Sequence, residues 1–467
     1  MPSSRARRVA SATPTKRFFV DMLTRDIELG DAILDLLDNC LDGVIRKLGP
    51  QKKNTSLKPY ENFKAEITIN ETYFQIKDNC GGIPLELAEN YAFRFGRADK
   101  SRDTDLATVG VYGIGMKRAL FKIGMDSKIV SNHEKNKFKV EIQPEWLSQD
   151  KNWELPIEFE EKNKNEEEGV TIKITKLHKN IKTSFDKTAG NFEEKLKSLI
   201  KTHYAYILKK GFTVKVNGEE IIPDNTKVLI DKSSAKQKIE PYIYKTEDDG
   251  VSVELILGMY DRFATDDENE EMLHGIRSKS TAGWTIICND RIVLSNDTSH
   301  VTGWGEAGVP AYHSQFIAIS GIVKFTSDDA SKLPITTTKR GIDQSSQLYA
   351  SVKDVMRDAL KHFTSFTNRW KSQTNERFEI QKETQLVEIT EAVENVKKWS
   401  KVQKGLGGYK YIPTLPKPKQ ETNTHRISFN RSIEEINKLN RFLFEDIQMT
   451  PSEVGEAAFE YVLSEAK

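Results

Sequence analysis

A glycine-rich segment near residue 115 is the first part of the sequence that suggests chemistry. The segment VGVYGIGMKRALFKIG spans residues 109–124 and carries glycines at 110, 113 and 115, followed by Lys117. Glycines let a backbone approach a ligand closely, although they also let a helix pack closely on a strand. If the ligand is a phosphate, the chain should also supply a proton acceptor, a metal ligand and a group that recognises a nucleobase.

Four short polar side chains lie at helical spacing in AILDLLDNCLDG, residues 32–43. Asp35, Asp38, Asn39 and Asp42 fall at i, i+3, i+4 and i+7, which places them on one helix face opposite an apolar stripe. One interpretation is the solvated face of an amphipathic helix. Against it, asparagine is a poor helix former and this face carries no Lys or Glu.

A carboxylate also ends a predicted strand in IKDNCGGIP, residues 76–84, where Asp78 precedes glycines at 81 and 82. An ordinary hairpin turn is the alternative interpretation, because Asp, Asn and Gly dominate turns. The order of the segments is more specific than any one of them. A polar-faced helix precedes a strand ending in Asp-Asn-x-Gly-Gly, and a glycine loop that opens a helix follows about 30 residues later.

The surrounding periodicity predicts an α+β fold, with strands paired locally and helices on one face. A long helical segment at 192–211 marks the boundary to a second α+β unit. The predicted parts are residues 1–180 with a flexible N-terminal arm, an α+β domain at 181–375, a charged helix with a lysine/proline linker at 376–420, and a small strand-helix-helix module at 421–467.

Composition excludes several classes of protein. Hydrophobic residues make up 37% of the chain and charged residues 30%. No apolar run approaches the roughly 18 residues of a membrane helix. Three cysteines and eight histidines without metal-ligand spacing argue against a disulfide framework and a zinc site. We expect a cytoplasmic protein that does not bind a membrane.

In this order the three segments resemble the GHKL ATPases, which include gyrase B, the large heat-shock chaperones, MutL and the sensor kinases. The resemblance covers roughly residues 14–180. It implies the Bergerat fold, a helix layer on a mixed or antiparallel sheet with ATP between them. It also implies ATP and Mg²⁺ as cofactors and slow ATP hydrolysis.

The resemblance also assigns roles to residues. Asp35 stands at the position of the catalytic base, Asn39 is the magnesium ligand, and Asp78 accepts from the adenine amino group. Gly113 and Gly115 belong to the phosphate loop, where free N–H groups and the helix dipole meet negative oxygens. The segment 95–112 would be the mobile lid over the nucleotide. Further expected nucleotide contacts are Asp38, Asp42, Gly82, Ile83, Gly110, Val111, Tyr112, Ile114, Met116, Lys117 and Thr171.

Three positions depart from the family pattern. Relatives that hydrolyse ATP place Glu where this chain has Asp35, and a base must come within hydrogen-bonding distance of the attacking water. Cys80 replaces the first glycine of the family's DxGxG, which is tolerable only if the backbone there does not need a positive φ. Thr171 lies one place later than the family's threonine.

The second α+β unit ends in LPITTTKRGID, residues 333–343. A basic turn after a strand is one interpretation. In gyrase and MutL a lysine from a second, transducer domain contacts the γ-phosphate, and the resemblance gives Lys339 that catalytic role. The stretch GWTIICNDRIVLSND, residues 283–297, resembles the MORC proteins. A MORC-like or bacterial Hsp90-like ATP-binding protein is therefore expected.

The sequence of residues 425–467 predicts a strand, a helix, a turn and a second helix that starts at Thr450-Pro-Ser-Glu. This order resembles the ribbon-helix-helix module of small repressors. The resemblance implies paired strands with Arg426, Ser428 and Asn430 towards DNA and with Ile427 and Phe429 towards the core. The alternatives are a helical hairpin packed on the ATPase and a tail that docks a partner.

Together these patterns predict a conformational switch that dimerises on ATP through its arm and lid. It would act on DNA or a protein partner, with DNA handling or anti-phage defence as candidate roles. The alternatives are a non-hydrolysing nucleotide-sensing scaffold and a chaperone-like remodeller.

Overall fold

The computed structural model divides the chain into two compact units, one up to Lys417 and one from Pro418. The described residues are 15–52, 58–94, 113–149, 152–162, 166–188, 190–223, 227–231, 238–260, 282–336, 339–370, 384–388, 398–418, 427, 430–444 and 449–466. Within these ranges no helix has both the length and the apolar character that a membrane span requires.

The first unit contains an eight-stranded sheet. Every second residue of its first strand is buried, as expected for a strand with one face on a core. Its strands are β1 (Lys64–Ile69), β2 (Phe74–Asp78), β3 (Gly124–His133), β4 (Asn136–Ile142), β5 (Glu158–Phe159), β6 (Gly169–Leu177), β7 (Thr213–Val216) and β8 (Glu219–Glu220). Their order is β5-β4-β3-β6-β2-β1-β7-β8, antiparallel except for the parallel pair β1–β7.

Helices pack on a single face of this sheet, most of them in one large hydrophobic core and the short one at Leu85–Leu87 in a smaller cluster with Phe138 and Val140 of β4. They are α1 (Lys16–Arg25), α2 (Leu29–Lys52), α3 (Leu85–Leu87), α4 (Gly115–Ile123), α5 (Pro144–Ser148), α6 (Lys179–Phe185), α7 (Phe192–His203) and α8 (Ala205–Lys209). The apolar stripe of α2 includes Leu37 and Leu41, which pack in this core with Ile67 and Ile76 of the sheet. The α+β fold with a helix layer on a mixed sheet is therefore confirmed.

A second sheet lies later in the same unit. The strands are β9 (Lys227–Asp231), β10 (Tyr242–Asp248), β11 (Val251–Met259), β12 (Gly283–Cys288), β13 (Arg291–Asp297), β14 (Ile319–Thr326), β15 (Thr384–Glu388), β16 (Ser400–Lys401) and β17 (Tyr409–Tyr411). Seven have the order β13-β12-β14-β11-β10-β17-β16, while β9 and β15 form a separate ribbon. Helix α9 (Gln347–Arg369) packs its apolar side into the core of this sheet.

The structure moves the first domain boundary towards the C-terminus. Strand β7 pairs with β1, and the core that α2 joins continues through α7 and α8 as far as Ile221. The predicted boundary at residue 180, with the helix at 192–211 between the two units, lies before the end of this core. Alternation in β7 predicts a strand but contains no information about which sheet edge the strand joins.

The predicted linker is also part of the fold as far as Lys417. Strand β15 pairs with β9, and β17 pairs with β10 at the edge of the second sheet. Leu415 is buried, and the Trp370 indole donates to the carbonyl of Pro416 at 3.2 Å. Prolines and lysines suggested a linker, but the prolines at 413, 416 and 418 lie after β17, which pairs with β10 on one side and with the edge strand β16 on the other.

The N-terminal arm is helical where it is described. The Lys16 ammonium donates to the carbonyl of Trp146 at 2.6 Å and lies 3.6 Å from a ring centroid of the same residue. Lys122 of α4 donates to the carbonyl of Thr24 at 3.0 Å. Helix α1 therefore packs on its own domain, so the flexible arm predicted for residues 1–19 does not extend past Thr15. Residues 1–14 lie outside the described residues.

The second unit contains the helices α10 (Ile433–Phe444) and α11 (Pro451–Glu465). Thr450 and Glu453 form the reciprocal capping box that the sequence predicts at the start of α11. Asn430 and Ile427 are exposed, while Arg426, Ser428 and Phe429 lie outside the described residues. The predicted strand therefore stays a prediction.

Candidate functional site

The polar face of α2 is buried rather than solvated. The exposed fraction is 2% for Asp35, 0% for Asp38 and 6% for Asp42. Asn39 is half-buried, while all other residues from Asp31 to Ile45 are buried. A helix with carboxylates inside needs partners for them, because an isolated buried charge is strongly destabilising. The amphipathic-surface interpretation is therefore wrong.

Asp35 is bound by two cations. The Arg118 Nη2 atom donates to Asp35 Oδ2 at 2.6 Å, and the Lys339 ammonium lies 3.7 Å from Oδ1. Helix α4 comes very close, because a Cβ placed on Gly115 would lie only 3.2 Å from Asp35 Cγ. Glycine at 115 thus allows the N-terminus of α4 to approach the carboxylate.

Asp38 joins α2 to the later part of the chain. Its Oδ1 atom accepts from the Tyr204 hydroxyl and the Arg291 guanidinium, and its Oδ2 atom accepts from the Lys339 ammonium at 2.7 Å. Burial alone would raise the pKa of Asp38, but the charges of Arg291 and Lys339 outweigh it and hold the pKa below its ordinary value. A nucleotide contact for Asp38 stays a prediction, and it would require these bonds to rearrange.

Asn39 presents the open position on this face. Its Nδ2 atom is buried and has no hydrogen-bond partner, and a buried polar atom left unpaired calls for a ligand. The described residues contain no cluster of three or more His, Cys, Asp or Glu side chains that could hold a metal. An amide NH2 group is a donor, so the unpaired Nδ2 atom suits an acceptor such as a phosphate oxygen, whereas magnesium would bind the amide oxygen Oδ1 and keep its waters and phosphate ligands.

Asp78 lies at the end of β2 with its carboxylate held by weak and strong donors. Its Oδ1 atom accepts from the backbone N–H of Cys80 at 2.8 Å and of Val170 at 3.2 Å. Its Oδ2 atom accepts from the Cys40 thiol at 3.4 Å, and the Cys80 thiol also interacts with the carboxylate. Burial raises the pKa of Asp78, and these hydrogen bonds oppose the shift. Since a thiol is a weak donor, Oδ2 can accept a further hydrogen bond.

The turn after Asp78 explains the departure at Cys80. Positive φ values occur at Gly81 and Gly82 but not at Cys80, so a side chain is tolerated there. At Gly82, where φ is 73°, an added Cβ would collide with the carbonyl oxygen of Asn132. Ile83 is fixed by Ser131, whose hydroxyl accepts from its N–H at 2.8 Å.

The glycine loop leads directly into α4. Gly113 has a φ of 65°, and Ile114 is an N-cap residue without a side-chain cap bond. The N-cap side chain thus leaves the first N–H groups of α4, those of Gly115 and Met116, without a cap, an arrangement suited to anions. Lys117 is buried and donates to the carbonyls of Ala92 and Gly113. Gly110, Val111, Tyr112 and the predicted lid lie outside the described residues.

The structure does not bring Thr171 to this site. Thr171 pairs with Lys77, which is exposed, whereas Asp78 and Ile76 share the opposite parity on β2. Paired residues on neighbouring strands project from the same face of a sheet. The Thr171 side chain therefore lies on the face away from the helices, and its nucleotide contact stays a prediction.

Lys339 reaches α2 from a tight loop of the second half. Ile335 and Ile342 form an isolated bridge around the loop, and Lys339 has a φ of 55°, unusual for a residue with a side chain. The next residue, Arg340, forms an ion pair with Asp31 of α2. Two successive cations thus contact the same helix, which a basic surface turn would not do.

Sequence reasoning missed three residues of this network. Arg118 directly follows Lys117, and Arg291 lies in the Cys-Asn-x-Arg stretch, but neither position indicated a carboxylate partner. Tyr204 had no signal at all, because its partner is far away in sequence. Spacing along one element finds residues on a shared face, but it cannot find their partners on other elements.

The fold is a helix layer on a mixed sheet, and an uncapped helix N-terminus packs against the helix that carries the half-buried Asn39. This arrangement is typical of an α+β nucleotide-binding domain. Residues 27–178 match the family model for the histidine kinase-, DNA gyrase B- and HSP90-like ATPases. This part of the chain is therefore a GHKL-type ATPase domain. No curated protein is significantly similar to the chain in sequence.

Proposed function

We propose that this protein is a Mg-ATP-binding conformational switch that hydrolyses ATP slowly. Its GHKL-type ATPase domain supports ATP binding and a nucleotide-driven switch. The observation that supports coupling is the position of Lys339, which comes from the second half and lies 3.7 Å from Asp35 on α2. A cation there could exchange a carboxylate for a γ-phosphate and so report whether that phosphate is present.

The proposed roles follow from the contacts of each side chain. Asp78 Oδ2 accepts from the adenine amino group, and Gly82 and Ile83 pass beside the base. Asn39 holds Mg²⁺, which would neutralise phosphate charge when bound. The N–H groups of the segment Gly113–Lys117 bind the phosphates. Asp42 is buried on the same face of α2 as Asn39 and lines the nucleotide site.

Asp35 is the proposed proton acceptor for the attacking water. In the described state Arg118 and Lys339 both contact its carboxylate. A carboxylate that is paired with two cations accepts a proton poorly. Hydrolysis should therefore begin only after Lys339 has moved to the γ-phosphate. The same engagement favours a second candidate, a nucleotide-sensing scaffold that does not hydrolyse ATP.

Steady-state phosphate release with Mg-ATP separates the two candidates. Asp35→Asn should lower turnover much more than it changes ATP affinity, because it removes the proton acceptor as well as the charge that Arg118 and Lys339 contact. Lys339→Ala should slow turnover more than it weakens binding. If wild type shows no turnover above background while binding ATP, the scaffold is the function; if it does not bind ATP, both candidates fail.

The partners belong to the same proposal. A homodimer formed on ATP would act on DNA or on a protein, and a MORC-like or Hsp90-like build would suit either one. Arg426, Ser428 and Asn430 are the proposed DNA contacts, and binding through them should fall steeply with salt.

The three cysteines are free and buried, which fits the reducing environment of the cytoplasm. A chaperone-like remodeller has no specific support in the described contacts.

A further inference from the structure

Asp38 has more cationic partners than one buried carboxylate needs. Arg291 and Lys339 both bind it, and the Tyr204 hydroxyl donates a third bond. All of these side chains are buried, with Asp38 at 0% exposure and Lys339 at 6%. One cation would neutralise the carboxylate, so the second can leave without creating an unpaired buried charge.

The two cations are anchored differently. Arg291 follows the β12–β13 turn, where Asp290 accepts from Tyr60 at 2.8 Å and from Lys210 at 2.6 Å. The turn is thus attached to the ATPase domain independently of Asp38. Lys339 stands at the tip of its loop, where its backbone φ of 55° is unfavourable for a side-chain-bearing residue.

From this arrangement we propose that Asp38 is the holding site of Lys339 when no γ-phosphate is present, and that Arg291 is the positioning residue that allows Lys339 to leave. The inference rests on the proposed function, since it takes the γ-phosphate as the destination of Lys339. When Lys339 moves, Arg291 and Tyr204 keep Asp38 paired. Without Arg291, departure of Lys339 would leave a buried carboxylate uncompensated, which is strongly unfavourable.

The test measures the affinity of the full chain for ADP and for a non-hydrolysable ATP analogue with Mg²⁺, by calorimetry. The readout is the preference for the triphosphate over ADP in each variant. Lys339→Met defines the preference without the lysine, which we expect to be about ten- to a hundredfold lower than in wild type, the value of one charge-assisted hydrogen bond. In Arg291→Met the preference for the triphosphate should fall to the same level, because Lys339 stays bound to Asp38.

A second substitution should reverse this loss. In Asp38→Asn/Arg291→Met the buried charge pair is absent, so Lys339 keeps only its longer contact with Asp35, and the preference should return. Asp38→Asn alone should raise the preference above wild type, and Arg291→Lys should keep it nearer to wild type than Arg291→Met does. A merely structural role for Arg291 predicts the opposite, since a second substitution in the same network would not restore discrimination.

The outcomes are distinguishable from failure of the proposed function. Wild type that binds neither nucleotide would refute ATP binding itself. Wild type that prefers the triphosphate while Arg291→Met keeps that preference would overturn the inference alone. If Arg291→Met does not fold, the comparison of Asp38→Asn with wild type still decides, because an unchanged or lowered preference would overturn the holding site.

Discussion

At the scale of single residues, the acceptor at Asp78 should determine adenine binding. Asp78→Ala and the isosteric Asp78→Asn should each weaken ATP binding by about 1–3 kcal/mol, because a buried donor of the base would lose its carboxylate. Calorimetric titration measures the effect. Lys77→Ala is the matched control, since the neighbouring side chain is exposed on the other face of β2. Equal ATP affinity in wild type and both Asp78 variants would refute this role.

The aspartate at position 35 should fit its site better than the longer glutamate that relatives in the family carry there. Gly115 brings α4 so near that a Cβ there would lie 3.2 Å from Asp35 Cγ, and Arg118 fixes the carboxylate at 2.6 Å. Asp35→Glu should therefore lower the free energy of unfolding by about 1–3 kcal/mol, as overpacking does, without faster phosphate release.

Thermal unfolding and phosphate release check this expectation together. Asp21→Glu is a suitable control, because the Asp21 side chain is 73% exposed and the added methylene meets no packed neighbour. A faster and equally stable Asp35→Glu variant would show that Asp35 is a weakened glutamate rather than a residue matched to the approach of α4.

At the scale of elements, the contact between α7 and β13 should depend on pH. His203 of α7 contacts the Ile292 carbonyl of β13 at 2.7 Å. Burial lowers the pKa of His203 from 6.5 to about 4. Between these values the unfolded chain binds more protons than the folded one, so stability is lost as the pH falls from about 6.5 to 4, by at most about 1.4 kcal/mol per pH unit.

His203→Gln should flatten this dependence when unfolding by denaturant is followed between pH 4 and 6.5. Burial also lowers the pKa of His362, so a shallower slope of the same sign should remain. An identical slope in wild type and His203→Gln would mean that the histidine protonates without disturbing the contact.

The elements also show what the sequence could reveal. The helical spacing of its polar and apolar residues predicted α2. The strand that ends at Asp78 and the helix that begins at Gly115 were also predictable, because the residues that indicate them lie within each segment. The position of β7 beside β1 could not be inferred, because alternation defines a buried face but not a partner strand. Lys339 became a candidate only through its resemblance to the lysine of related transducer domains. The carboxylate contacts of Arg118 and Arg291 could not be predicted, because they depend on packing between elements.

At the scale of the whole molecule, the second unit should associate with another copy of itself. Its helices expose large apolar side chains, among them Ile433 at 77%, Phe442 at 66% and Val462 at 64%. Exposed apolar residues at this density mark an interaction surface. Val462→Glu should shift wild-type dimers to monomers in sedimentation without nucleotide. Ile222→Glu, equally exposed at 64% in the first unit, should not.

Sedimentation of the wild type as a monomer without nucleotide would contradict this prediction. The helical hairpin would then remain a candidate for docking a different protein. Loss of the dimer in both variants would indicate a general effect of added charge rather than an interface.

The parallel pairing of β1 with β7 has a consequence for the order of folding. Ala65 pairs with Val214, so the ATPase sheet closes only after most of its domain has left the ribosome. Until then β1 has an open edge, and edges of this kind recruit other strands. A chain ending at residue 180, near the end of the family match, would keep that edge open and lack the core residues of α7 and α8. We expect such a fragment to aggregate, and a fragment ending after Ile221 to be the shorter ATPase piece that stays in solution.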